Sequence, residues 1–94
     1  MFPLRFTLHA KTRMQQRAIP GNVVELLVAY GKEEHDHHGG MVLYFDKMAR
    51  HRLARDFKAR KLGFLDRYQD AYAVVSLDGE IITVGHRDKR IRKH

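Results

Sequence analysis

Three residues of the stretch LHAKTRMQQR, residues 8–17, have the types and the spacing to act on a phosphodiester: His9, Arg13 and Arg17. On a helix, a step of four residues overshoots a full turn by about 40°, so the three side chains form one slanted row of near neighbours. A histidine passes protons near neutral pH. An arginine offers planar donors to two phosphate oxygens and stabilises the charge that grows in the transition state. Such a set cleaves RNA without a metal, because the 2′-hydroxyl is the nucleophile. The same three residues are also what the wet face of an ordinary helix carries, and residue types alone favour that plainer reading.

A second histidine, His86, stands at the end of the last predicted strand, next to Arg87. Acid–base cleavage wants two titrating groups on opposite sides of the phosphate, and His9 and His86 form such a pair if the first helix packs near that strand end. Tyr44, Tyr72 and Thr83 are secondary candidates for phosphate or base contacts, against the ordinary reading of sheet residues with satisfied hydroxyls. The run HDHH, residues 35–38, hints at a metal, and His35 and His37 would share one side of a strand. No HExxH or Cys–His spacing accompanies it, so the sequence predicts neither metal nor cofactor.

Charge is the strongest global signal. Eighteen Lys and Arg against eleven Asp and Glu give +7, which favours a polyanionic partner: RNA, DNA, an acidic protein or an anionic surface, with nucleic acid foremost. The cations cluster: seven of them and one acid, Asp56, lie between Lys47 and Lys61, and five with one acid, Asp88, between Arg87 and Lys93. Arg50, Arg52, Arg55, Lys58, Arg60 and Lys61, with Arg87, are the candidate footprint for a phosphate backbone. The plainer alternative is a solvated basic face.

Ninety-four residues with 44% hydrophobic content predict one domain, residues 1–94, with a modest core. The absence of cysteine excludes disulfides and thiolate chemistry and fits a reducing cytoplasm. No apolar run approaches the ~18 residues of a membrane span, and MFPLRFTLHAK lacks a secretory leader's apolar core.

Several elements must position these residues. LRFT, residues 4–7, reads as a short strand, with Thr7 as N-cap of a helix over 8–17 whose Ala10 and Met14 face the core. Pro20-Gly21 starts a second helix, with an apolar stripe of Val23, Leu26, Leu27 and Tyr30 and Gly31 as C-cap. Gly39-Gly40 predicts a hairpin between strands near 33–37 and 41–46. Asp46 caps a basic helix over 47–61 with a narrow stripe of Ala49, Leu53 and Phe57. AYAVVSL and EIITVGH flank Asp78-Gly79, a type I′ turn dipeptide. A two-residue turn there pairs Leu77 with Glu80, Val75 with Ile82, Ala73 with Val84 and Ala71 with His86. It puts Thr83 and Arg87 on the opposite face, with Tyr72 and Val74. The expected class is α+β: two N-terminal helices on a twisted, mostly antiparallel sheet, with a basic helix between strands.

The pattern H-A-x-x-R-M-x-x-R-x-I, here His9 to Ile19, together with D-G-x-x-I-T-V-x-H-R, here Asp78 to Arg87, resembles a family of small, uncharacterised bacterial and phage proteins. These are thought to be distant relatives of the RelE and barnase–EndoU–colicin ribonuclease fold. The resemblance spans residues 6–87. It implies a RelE-like fold and a metal-independent endoribonuclease, free or ribosome-dependent, toxin-like and held by an acidic antitoxin. Carried onto this chain, it makes His9, Arg13 and Arg17 the candidate site, joined by Thr83 and His86. The HDHH hairpin, the basic middle helix and Pro20-Gly21 depart from the family pattern. Two other readings stay open: a non-catalytic nucleic-acid-binding module, and an accessory domain that takes a protein partner at a sheet edge.

Overall fold

A computed structural model describes residues 4–35, 39–57 and 66–87. The fold is α+β, and its elements bounded within the described residues run in the order β1 (Arg5–Phe6), α1 (Leu8–Gln16), α2 (Gly21–Tyr30), β2 (Lys32–His35), β3 (Met41–Tyr44), α3 (Lys47–Phe57), β4 (Ala71–Val75) and β5 (Glu80–His86). The strands form one sheet in the order β1-β5-β4-β3-β2. β1 pairs parallel with β5 and every other pair is antiparallel.

The core lies on one face of the sheet. Leu43, Ala71, Ala73, Val75, Ile81 and Val84 meet Ala10, Ile19, Val23, Val24, Leu27, Ala49 and Leu53 from the helices. Alanines at 71 and 73 keep the middle strand low, so the helical layer can close on it. The expected stripe of α3 is shorter than its spacing promised. Ala49 and Leu53 are fully buried, but Phe57 is 37% exposed and packs at the surface against the Tyr30 ring. Residues 58–61 of the expected helix lie outside the described residues.

The helix ends follow local chemistry. Thr7 Oγ1 accepts the Ala10 N–H at 3.0 Å, as an N-cap should, and Asp46 Oδ1 accepts the Ala49 N–H at 2.8 Å. α1 stops in a Schellman turn: Ile19 N–H reaches Met14 O at 2.9 Å, Ala18 N–H reaches Gln15 O at 3.3 Å, and Ala18 takes φ 55°. Gly31 ends α2 differently from the usual left-handed glycine cap. Its φ is −66°, and it must be glycine because a Cβ would stand 2.5 Å from Leu27 O and 3.2 Å from Tyr44 O.

One hairpin departs from its expected turn. β2 and β3 form the antiparallel pair expected around Gly39-Gly40, with His35 opposite Met41, and residues 36–38 lie outside the described residues. His37 and His38 lie outside the described residues, and so does the test of a His35–His37 pair. At the second hairpin, Ser76 N–H donates to Glu80 O at 2.8 Å, and Gly79 takes φ 86°. This is a three-residue loop, Leu77-Asp78-Gly79, with glycine in the left-handed position, not a type I′ turn. Val75 therefore opposes Ile81, not Ile82. Ile82 is an extra residue in β5, a β-bulge, and beyond it the expected pairs return: Val74–Thr83, Ala73–Val84 and Ala71–His86.

Thr7 ties the bulge to α1. Its N–H donates to Ile81 O and its hydroxyl donates to Ile82 O, both at 3.0 Å, while the same oxygen caps the helix. Replacing Thr7 by Val keeps the shape and removes both hydroxyl bonds. Urea denaturation is expected to show a loss of about 1–2 kcal/mol for Thr7→Val.

A polar contact joins α2 to α3. Tyr30 Oη donates to Asp56 Oδ2 at 2.7 Å, and Arg55 Nε donates to Asp56 Oδ1 at 3.2 Å. The Tyr30 hydroxyl bond, and then that of Arg55, hold the Asp56 carboxyl below its ordinary 3.8. The same bond raises the Tyr30 hydroxyl above 10.0. A lowered carboxyl gives stability that is full above 3.8 and is lost as pH falls through the folded value beneath it. The stability difference between wild type and Tyr30→Phe is thus expected to be constant near pH ~6 and to shrink below 3.8, as read from urea midpoints across that range.

Candidate nucleic-acid interface

α1 carries the predicted row on its outer side. His9 and Arg17 are exposed and Arg13 is half-buried. Arg13 Nε donates to His9 Nε2 at 3.4 Å, at the long end of hydrogen bonding. Thus the structure brings His9 and Arg13 together, as their spacing predicted.

It does not bring His9 to His86. α1 runs beside β5 from Ile82 towards His86, so the two histidines sit at opposite ends of the helix. His86 meets α1 at Arg17, eight residues and about 12 Å of helix beyond His9. Both of its ring nitrogens are engaged by the chain: Nδ1 with Asp70 Oδ1 at 3.0 Å and Nε2 with the Arg17 carbonyl oxygen at 3.3 Å. That carbonyl is one that helix termination leaves without an intrahelical donor. Both partners are acceptors, so a neutral ring can donate to only one of them and a protonated ring to both. In this arrangement His86 secures the end of α1. For His86→Ala, urea denaturation is expected to show a stability loss of about 1 kcal/mol, from the contacts with Asp70 and the Arg17 carbonyl that it removes.

The basic helix is also occupied with its own surroundings. Arg50 Nη1 donates to Phe45 O at 2.8 Å, Arg52 Nη2 to Tyr30 O at 3.3 Å and Arg55 Nε to Asp56. Arg52 thereby serves the C-terminal carbonyls of α2. Each of these contacts uses one of the five N–H donors of its guanidinium. Lys58, Arg60 and Lys61 of the expected stripe lie outside the described residues.

What the structure assembles instead lies on the sheet face away from the described helices, where Val42, Tyr44, Tyr72, Val74 and Thr83 are half-buried. Register places Lys32, Tyr44, Tyr72 and Gly85 in one row across four strands, and Glu34, Val42, Val74 and Thr83 in the next. The Arg87 guanidinium carbon sits 4.2 Å from the centre of the Tyr44 ring. Tyr44 Oη donates to Glu34 Oε2 at 3.1 Å. The Tyr72 ring lies across Gly85, where a Cβ would stand 3.0 Å from its outer atoms. Gly85 is the floor that lets this ring lie flat.

Four candidates from the sequence, Tyr44, Tyr72, Thr83 and Arg87, thus share one surface. Rings and guanidinium planes of this kind stack with unpaired bases, and cations beside them take phosphates. Lys32 and Glu34 are the members that sequence reasoning missed. The pairing of His35 with Met41 sets their register, which the glycine pair did not reveal.

A concavity runs along the outside of α1. It is an open groove of about 670 Å³ lined by Leu8, Lys11, Gln15, Pro20 and Tyr68 among others. No group of three or more His, Asp or Glu among the described residues could hold a metal ion. Among those residues no helix is long and apolar enough to cross a membrane.

The fold and this surface define an α+β protein with a sheet covered by helices on one side and an aromatic, partly cationic face on the other. No protein-family model, curated protein or solved structure matches the chain.

Proposed function

We propose that this protein binds single-stranded RNA on the open face of its sheet. The observation that carries the reading is the Tyr44–Tyr72 pair across β3 and β4, with Arg87 stacked on Tyr44. Two rings side by side offer stacking surface to successive bases, each contact worth about 1–3 kcal/mol. Lys32 and Arg87 at the margins, and the net charge of +7, supply the phosphate attraction. The motif resemblance to ribonuclease-like proteins favours RNA over DNA. RNA as partner, with a cysteine-free chain, favours a cytoplasmic setting.

Metal-independent cleavage of the bound strand, in a RelE-like and toxin-like manner, is the second reading. It is favoured by the exposed His9 beside Arg13, a base with a phosphate-binding neighbour. An acidic antitoxin and ribosome association belong to that reading.

One set of assays separates the two. Fluorescence anisotropy with a labelled single-stranded oligoribonucleotide is expected to show affinity that falls with salt. Tyr44→Ala and Tyr72→Ala are each expected to weaken it about fivefold or more, with the fold intact by circular dichroism. The same oligomer, incubated in EDTA with and without ribosomes, reports cleavage. Products that vanish in His9→Ala would make the protein a nuclease, whereas intact RNA in both conditions leaves it a binding protein. Binding indifferent to both tyrosines would remove the sheet face from the account.

A further inference from the structure

We infer that Glu34 makes the open face selective for guanine among unpaired bases; this rests on the RNA-binding reading above. Glu34 is exposed, beside the Lys32–Tyr44–Tyr72 row, and its Oε2 accepts the Tyr44 hydroxyl. Among the described residues no ion pair engages it. An unneutralised carboxylate on a phosphate-binding face repels the backbone, so it weakens binding unless it meets donors. On a single strand those donors are base edges.

The chemistry of the four bases then separates them. The Watson–Crick edge of guanine presents two adjacent donors, N1–H and the N2 amino group, which match the two oxygens of a carboxylate. Cytosine and adenine each present one amino donor beside a ring nitrogen acceptor, which faces the carboxylate unfavourably. Uracil presents one N–H between two carbonyls. The hydroxyl of Tyr44 takes only one of the carboxylate's acceptor sites and fixes its position, leaving the rest for the base. A guanine stacked on the Tyr44–Arg87 surface would bring its edge to Glu34, with its phosphates towards the cations.

The test compares labelled oligouridylate with the same oligomer carrying two central guanosines, by anisotropy, for wild type, Glu34→Gln and Glu34→Ala. The guanosine oligomer is expected to bind wild type about fivefold or more tightly than oligouridylate. Glu34→Gln keeps an acceptor for Tyr44 but loses the charge. It is expected to bring the two affinities together and to strengthen binding of oligouridylate, because a repulsion to phosphate has gone. Equal affinities in wild type, or a guanosine preference that survives in both variants, would overturn the assignment while leaving the platform in place. Failure of wild type to bind either oligomer would overturn the platform, and this inference with it.

Discussion

The extra residue at Ile82 governs which side chains of β5 face the helices and which face outwards. Before it, Ile81 opposes Val75 and is buried. After it, Val84 and His86 share the helical face with Ala73 and Ala71, while Thr83 and Gly85 share the open face with Val74 and Tyr72. An unbroken register from Val75–Ile81 would invert this. It would drive Arg87 towards the helical layer, at the cost of burying a charge, and leave Val84 outside. The bulge is held by Thr7, whose hydroxyl bonds the Ile82 carbonyl while capping α1. Helix start and strand register are thus fixed by one side chain.

The division of the two histidines follows from the same geometry. α1 starts at the bulge and runs with β5, so its first turn and its last turn are tied to different ends of the strand. His9 belongs to the first turn and lies beside Arg13, whereas His86 closes the last turn through Asp70 and the Arg17 carbonyl. Two histidines that the sequence offers as an acid–base pair are separated by the length of the helix between them. The aromatic row collects on the other face because β3, β4 and, beyond the bulge, β5 keep a period of two, and because Gly85 gives the Tyr72 ring room to lie down.

Much of this was legible beforehand. The α+β class, the helices, the Thr7 and Asp46 caps and the faces of Tyr72, Thr83 and Arg87 all follow from local chemistry and strand alternation. The bulge was hidden because Asp78-Gly79 serves a type I′ turn and a three-residue loop equally well, since both place the glycine at positive φ. The left-handed Ala18 was hidden because helix ends usually signal with glycine, and here the Ile19–Met14 bond holds an alanine there. The bonds of Arg50 and Arg52 to carbonyls of Phe45 and Tyr30 were hidden because they join segments whose packing no single stretch reveals. The open-face row needed the register of β2, which no dipeptide announces.

The proposed function puts nucleic acid on the sheet and not on the outer side of α1. The most direct measurement is a nitrogen–proton NMR titration of the labelled protein with a short single-stranded RNA. RNA on the sheet is expected to move the amides of Val42, Tyr44, Tyr72, Thr83 and Arg87 most, with His9 to Arg17 little changed. Shifts concentrated on His9, Arg13 and Arg17, with β3 and β4 silent, would contradict it.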